Sequence, residues 1–432
     1  MEPAASHESI REQHVQIGVY FASIYLAYYL CVPSGGFANI PVQYVLKNQF
    51  KFNPQQISLF QLLIAWPTYI AFVFGFARDR WSPFGRGDRG IFWIFGVMGA
   101  LSFGWLAGGQ PTYSRLLVGI VAATIAYRFL GASTQGLTAE VGKRRGITGR
   151  LSTLWNSIWT TLAAVSYAIG GWVSDHLKPG SIFGLLGALT LIYVAVAFWK
   201  PAAVFDQRRS TAGEPRHKFR EDVRRLFRHK PMWPAAIIWL LWSFAPGFST
   251  PLLFYLSDHV KATATEFGLF NAIFSISFLP TYVLYGYVCR KASLNTLLWW
   301  GTIIAVPQML PLLFLKTPSE ALVMAVPIGL SGGIATAAYT DLLLRSCPKK
   351  LDGTGMMIAD SGYYVALRFG DLFGAWLYVR GGFALTAWIT TAVYALILPM
   401  LLAIPHSVTE RHDSDEKTEE LLVEGKLQPE TA

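Results

Sequence analysis

Four ionisable residues lie inside long apolar runs of the sequence, where a charge is costly. Arg128 is near the centre of one run, and Asp360, Arg368 and Asp371 share another. A charge at the middle of a bilayer costs at least ~2.5 kcal/mol, so such residues usually face a cavity or a partner. A guanidinium keeps its proton and suits a carboxylate or phosphate, whereas an aspartate can carry a proton. We therefore interpret the two arginines as candidate ligands of an anionic solute and the two aspartates as candidate sites of proton coupling.

Each of these charges also has a structural interpretation. Arg368 and Asp371 are three residues apart on one predicted helix, so they could simply pair with each other. Arg128 has no acidic residue within four positions on its own helix, but Asp371 could reach it across the protein. The sequence leaves these alternatives open.

Glycine and proline interrupt two of the apolar runs at corresponding places. Pro33, Gly35 and Gly36 break the first run, and Pro246 and Gly247 break the seventh. Proline removes a backbone donor and glycine loosens the helix, so the freed polar groups need a cavity or a protein neighbour. Matching breaks in two halves of a membrane chain point to a binding site near the midplane. A kink that serves packing alone is the alternative.

Aromatic side chains crowd the same two runs. Most of them are expected to pack or to face lipid. Those near the breaks could stack against a planar ligand. The candidates are Tyr25, Tyr29, Trp242 and Phe248.

The composition indicates which solvent these elements face. The chain has 432 residues, of which 53% are hydrophobic and 14% charged, whereas a soluble protein carries roughly 25% charged residues. The net charge of +10 sits in short clusters between apolar runs, which is typical of topology signals and not of nucleic-acid binding. Stretches with the roughly 20 apolar residues that span a bilayer number twelve: 15–46, 57–77, 90–109, 114–141, 149–174, 181–199, 233–257, 266–289, 293–315, 319–345, 354–379 and 382–404.

These runs predict an all-α membrane protein of two pseudo-symmetric six-helix bundles, 15–199 and 233–404. Gly170 and Trp172 recur as Gly374 and Trp376, which supports the repeat. Lys and Arg concentrate in the loops after even-numbered helices, so both termini are expected in the cytoplasm and the chain in the plasma (inner) membrane. The flanking segments are a cytoplasmic N-terminus (1–14), a basic linker (200–232) and a disordered acidic tail (405–432).

The loop between the second and third predicted helices contains a motif that is similar to a family signature. Gly75-Phe-Ala-Arg-Asp79-Arg80, followed by Gly85-Arg86, resembles the G-x-x-x-D-R/K signature of the major facilitator superfamily, and the resemblance extends over nearly the whole chain. It implies a twelve-helix fold and a cytoplasmic gate, in which the aspartate pairs with a base or caps a helix. Further gate residues are expected where helices 4 and 10 end and helix 5 begins: Glu140, Asp341 and Arg150.

The resemblance implies a secondary active transporter working by alternating access. With the buried arginines, it predicts symport of a small organic anion with H+ or another ion. The stretches from Pro54 to Arg80 and from Trp242 to His259 are similar to the folate–biopterin branch of the superfamily. A substrate-sensing membrane receptor on a transporter scaffold is the alternative.

Other functional classes find little support in the sequence. Phosphate-binding loops and metal-ligand clusters are missing from it, which argues against an enzyme. We therefore expect a monomer in the lipid bilayer that takes a small-molecule solute, needs no cofactor or metal and binds no nucleic acid.

Overall fold

The computed structural model describes residues 3–145, 148–205, 232–289, 292–346 and 352–404. Most of the predicted basic linker and the whole predicted acidic tail lie outside these residues. Contacts divide the chain into two compact units. Unit 1 comprises Met1–Arg216 and Ala262–Ala272, and unit 2 comprises His217–Lys261 and Ile273–Ala432.

Unit 1 is built from helices that follow the predicted apolar runs. In chain order they are α1 (Pro3–Cys31), α2 (Gly36–Asn48), α3 (Pro54–Ile64), α4 (Trp66–Tyr69), α5 (Ala71–Arg80), α6 (Asp88–Ala107), α7 (Tyr113–Arg145), α8 (Thr148–His176), α9 (Pro179–Phe198) and α10 (Ala202–Phe205). A short 3-10 turn, Pro83–Gly85, precedes α6. Helix α6 packs mainly on α9 and α7, while α8 packs on α1 and α2.

Unit 2 repeats this plan, except that residues Ala264–Ala272, most of helix α13 (Ala264–Ile276), belong to unit 1. The helices are α11 (Met232–Ser243), α12 (Thr250–Phe254), α13 (Ala264–Ile276), α14 (Phe278–Val288), α15 (Leu294–Ala305), α16 (Pro318–Ser346), α17 (Asp352–Ala395) and α18 (Ile397–Leu401). A π-helical turn, Tyr255–His259, follows α12, and a 3-10 turn, Leu310–Phe314, precedes α16. Helix α16 packs on α14 and α15, and α17 packs on α11 and α12.

Local sequence explains where several helices begin and break. Asn53 forms a capping box with Gln56, in which each side chain accepts from the other's amide at 2.9 Å, and Pro54 is the first helical residue of α3. Pro67 coincides with the interruptions around α4, and Pro280 follows the interruption between α13 and α14. Gly382, with a φ of 67°, bends α17 where the eleventh and twelfth predicted spans meet.

The helices include segments that are long and apolar enough to cross a membrane. The described residues contain eight such segments. Breaks shorten the helices of the second and seventh predicted spans, and the eleventh and twelfth spans merge into one segment. The described residues form helices without strands. The all-helical membrane class is therefore confirmed. The segments are Val15–Asn48, Asp88–Ala107, Tyr113–Thr138, Pro179–Phe198, Ala264–Tyr285, Leu294–Phe314, Pro318–Leu343 and Ser361–Leu401.

Candidate functional site

The predicted break in the first helix is present, and a neighbouring helix fills it. Helix α1 ends at Cys31 and α2 begins at Gly36, with Pro33 and Gly35 in the turn between them. The amide of Phe37 donates to Ser166 Oγ on α8 at 2.9 Å. A methyl group at Gly170 would overlap the carbonyl oxygen of Gly36, so the backbones of the break and of α8 touch directly.

Unit 2 contains a similar break with a matching glycine contact. Helix α11 ends at Ser243 and α12 begins at Thr250, with Pro246 and Gly247 between them. A methyl group at Gly374 on α17 would overlap the carbonyl oxygen of Pro246. The amide of Gly247 donates to Thr390 Oγ1 at 2.9 Å. In both units, protein neighbours satisfy amides that the break sets free, which favours a packing role for the breaks.

The carboxylate of Asp371 lies at this second break. Asp371 is 1% exposed, and its two oxygens accept hydrogen bonds from the Thr250 amide at 2.7 Å and from Thr250 Oγ1 at 2.8 Å. Asp371 therefore ties α17 to the start of α12. The pair with Arg368, which the spacing allowed, does not form between these two described residues.

Arg368 is buried without a hydrogen bond at its Nε atom. Its exposed fraction is 6%, and within the described part of the chain its Nε has no partner. A buried guanidinium keeps its charge, so it needs an anion or a polar cavity. Arg368 is thus a buried cation of unit 2 with a hydrogen-bond donor left for an anion.

The other two predicted intramembrane charges lie on long helices. Arg128 is half-buried in α7, between the buried Tyr127 and the half-buried Phe129. Asp360 lies on α17, and its side chain is outside the described part of the structure. Their roles stay predictions.

The predicted aromatic ligands all pack against neighbours in their own unit. Tyr25 Oη shares a hydrogen bond with Thr138 Oγ1 at 2.8 Å. Trp242 Nε1 donates to Thr336 Oγ1 at 3.1 Å. Tyr29 and Trp159 meet with ring centroids 4.5 Å apart, and Phe248 and Phe274 with centroids 4.6 Å apart. These contacts orient the four rings, and their role toward a ligand stays a prediction.

Arg78, within the loop motif, forms ion pairs with two described acids of unit 1. Arg78 Nε and Nη2 contact the two oxygens of Asp88, at the start of α6, at 2.7 and 2.8 Å. Arg78 Nη2 also lies 3.8 Å from Glu140 Oε2 on α7. The guanidinium covers Gly136, where a Cβ atom would collide with it. Sequence reasoning missed Arg78, although its place inside the motif was a usable signal.

The remaining predicted gate residues are distributed as follows. Gly75 is half-buried on α5, and Arg86 is exposed in the turn before α6. In unit 2, Tyr285 Oη donates to Asp341 Oδ2 at 2.7 Å, which mirrors the helix-to-helix contact of Glu140 in unit 1. The side chains outside the described part of the structure are those of Asp79, Arg80 and Arg150.

A second carboxylate, that of Asp175, makes contacts that the sequence analysis did not predict. Asp175, at the end of α8, accepts hydrogen bonds from the Thr265 amide at 2.7 Å, from Thr265 Oγ1 at 2.6 Å and from the Ala264 amide at 3.3 Å. All of these residues belong to unit 1. One turn away, Gly171 and Gly268 bring the two helix backbones into direct contact. Asp175 thus caps α13, as an acid at a helix N-terminus should.

The described residues contain no cluster of three His, Cys, Asp or Glu side chains that could hold a metal ion. The arrangement instead offers buried single charges on helices, broken helices and capped helix ends. Such parts suit the binding of a solute in a membrane-embedded cavity better than bond-making chemistry.

Comparison with known proteins agrees with this geometry. A family model described as the Major Facilitator Superfamily matches residues 24–370. No curated protein matches the sequence.

Similar solved structures cover nearly the whole chain. A D-xylose-proton symporter is 13% identical with a TM-score of 0.68, over 92% of this chain and 99% of that one. The nucleoside transporter NupG is 12% identical with a TM-score of 0.66, over 90% and 99%. A bacterial homolog of the human lysosomal transporter Spinster is 13% identical with a TM-score of 0.62, over 90% and 94%. At such identities the likeness establishes the fold alone.

Proposed function

Since this chain belongs to the Major Facilitator Superfamily, we propose that it carries a small organic anion across its membrane by alternating access, in symport with protons. It is an integral membrane transporter and not an enzyme. The family assignment establishes a membrane transporter, and the anionic substrate and the coupling to protons are our proposal.

Arg368 is the observation that carries the proposal. A neutral polar side chain at this place would suffice to bind a sugar or another uncharged solute. Arg368 is instead a permanent cation, 6% exposed, whose Nε has no partner among the described residues. Asp371, the nearest acid along α17 with a described side chain, bonds to Thr250 and makes no ion pair with Arg368. A carboxylate or phosphate of the substrate would do so with charge-assisted hydrogen bonds.

The contact between Asp371 and Thr250 supports the proton coupling in this proposal. A carboxyl group that gains a proton becomes a donor at one oxygen. The Thr250 hydroxyl can turn to accept that proton, whereas the Thr250 amide can only donate. A proton on Oδ2 is therefore tolerated without losing the bond to Oδ1. The similarity to a D-xylose-proton symporter supports the choice of ion.

The experiment measures ligand binding and uptake by the purified full-length protein. Thermal stability is first screened against monocarboxylates, dicarboxylates, organic phosphates and planar aromatic carboxylates such as folates. A stabilising anion is then tested for uptake into proteoliposomes, with and without an inward proton gradient. We expect an anion to stabilise the wild type, and Arg368→Gln to abolish that shift while the protein stays folded.

The outcomes separate the parts of the proposal. Stabilisation by uncharged solutes alone, or by anions equally in Arg368→Gln, would refute the anionic substrate. Uptake that ignores the proton gradient would refute the coupling ion only. Binding without uptake under any gradient would point to the substrate-sensing receptor instead.

A further inference from the structure

An open groove lies on the outer surface of unit 1, along α6 and α7. Its volume is about 490 Å³, and its lining is almost entirely apolar. Trp93 and Leu101 mark its two ends on α6, and Ala122 contributes from α7. Trp93 is 40% exposed and Leu101 67% exposed. In an integral membrane protein such a surface is covered by lipid or by another protein.

The dimensions of the groove match one acyl chain. Trp93 and Leu101 are eight positions apart, which is about 12 Å along a helix. One leaflet of a bilayer has a hydrocarbon depth of about 15 Å, half of the core thickness. The volume also lies within the range of roughly 300–1,000 Å³ of sites that hold a discrete small molecule.

A basic turn lies at the Trp93 end of the groove. The ring of Phe84 contacts the ring of Trp93 edge-on, with centroids 6.0 Å apart. Arg86 follows Phe84 by two residues and is exposed, and its guanidinium makes no ion pair within the described part of the chain. Exposed aromatics beside an arginine are typical of the headgroup region.

The neighbouring arginines are already engaged. Arg78 pairs with Asp88 at 2.7 Å, and Arg89 Nε donates to the carbonyl of Ala197 at 2.9 Å. Arg86 is therefore the described cation of this turn that is available to an external anion. The groove and the charge together require an occupant with an apolar chain and an anionic head.

We propose that this groove is a binding site for one anionic phospholipid, with an acyl chain between Trp93 and Leu101 and a headgroup phosphate on Arg86. The site lies outside the residues that we assign to substrate binding and coupling, and it shares Arg86 with the predicted gate. Its failure would leave the proposed transport function untouched.

The test uses quenching of Trp93 fluorescence by lipids brominated on their chains. The full-length protein is reconstituted in phosphatidylcholine vesicles with increasing brominated phosphatidylglycerol or brominated phosphatidylcholine. The signal of Trp93 is the difference between the wild type and Trp93→Phe. One interfacial arginine contributes about five-fold in affinity for an anionic lipid. We expect half-quenching at an approximately five-fold lower mole fraction of the brominated phosphatidylglycerol.

Variants separate the headgroup from the chain. Arg86→Gln should remove the preference for phosphatidylglycerol, whereas Lys178→Gln, an exposed base at the start of α9, should retain it. Ala122→Leu should fill the groove and weaken quenching by both lipids. If Trp93→Phe does not fold, native mass spectrometry counts the phosphatidylglycerol retained by the wild type, Arg86→Gln and Lys178→Gln.

Three results would overturn the proposal. Equal half-quenching by the two lipids would mean ordinary annular lipid. A preference that survives Arg86→Gln would place the headgroup elsewhere. Protection of Trp93 from both lipids would mean that a second copy of the chain or another protein covers the groove.

Discussion

Asp371 accepts two hydrogen bonds from one residue, Thr250, which is 121 positions away in sequence. The backbone amide contacts Oδ1 at 2.7 Å and the hydroxyl contacts Oδ2 at 2.8 Å. These two bonds hold the first residue of α12, just after the helix break, against the buried carboxylate of Asp371. Asp371 and Arg368, three positions apart on α17, make no ion pair with each other.

The Thr250 hydroxyl should matter more than its methyl group. Thr250→Ser keeps both donors and should unfold like the wild type. Thr250→Val keeps the shape and leaves Oδ2 without its donor, so we expect a loss of about 1–3 kcal/mol in the free energy of unfolding. Denaturant titration in detergent measures the difference. Equal stabilities of the two variants would show that the hydroxyl bond contributes nothing.

Arg128 is expected to contact the anionic group of the substrate. Arg128→Ala should fold and lose binding of any anion that stabilises the wild type. Arg128→Lys should restore binding only in part, because an ammonium cannot form the paired hydrogen bonds of a guanidinium. Isothermal titration of the three proteins measures this. Full rescue by lysine, or an Arg128→Ala variant that unfolds, would contradict the assignment.

Arg78 and Asp88 should be energetically coupled. Both side chains are largely buried, and hydrogen bonds to charged groups contribute roughly 1.5–3 kcal/mol. A double-mutant cycle of Arg78→Gln and Asp88→Asn should therefore show a coupling free energy of at least ~1 kcal/mol. The same cycle with Glu140→Gln is the control, because that carboxylate lies farther away at 3.8 Å and should couple more weakly. Additive effects at Arg78 and Asp88 would argue that the pair is dispensable.

Gly170 should be intolerant of a methyl group. Gly170→Ala would push the side chain into the carbonyl of Gly36, and such overpacking costs about 1–3 kcal/mol. Gly18, inside α1, has open space where a methyl group would lie, with no other atom within 4 Å. Gly18→Ala should therefore be neutral or gain up to about 1 kcal/mol. Thermal unfolding midpoints distinguish them. The prediction fails if the two substitutions have the same effect.

Asp175 should stabilise the start of α13. Asp175→Asn keeps the size of the side chain but removes the charge that favours a helix N-terminus, which should cost about 0.3–1 kcal/mol. His176→Asn, at the neighbouring exposed position, is the matched control. Hydrogen exchange of the amides of Ala264 and Thr265 reports the capping directly. Unchanged protection in Asp175→Asn would show that the cap is not needed.

Several features were predictable because they depend on local sequence. The bilayer requires about 20 apolar residues per helix, so α6, α7, α9 and α16 begin and end within a few positions of the predicted bounds. Proline and glycine disrupt a helix wherever they occur, and the breaks at Pro33 and Pro246 follow from that. The family motif between the second and third predicted helices was likewise recognisable from the sequence alone.

Pairings among charges were not predictable in the same way. Spacing allowed Arg368 with Asp371 on one helix, but the structure pairs Asp371 with Thr250. The loop motif drew attention to Asp79, while Arg78 makes the described ion pairs. Asp175 carried no signal until the start of α13 was placed beside it.

The sequence by itself determined that the chain is a helical membrane protein, where its helices run and where two of them break. Those properties follow from hydrophobic length and backbone chemistry, which act within a few residues. The tertiary structure decided which buried charge has a partner and which lacks one. That choice depends on which helix faces meet, because residues more than a hundred positions apart become neighbours only after the helices pack.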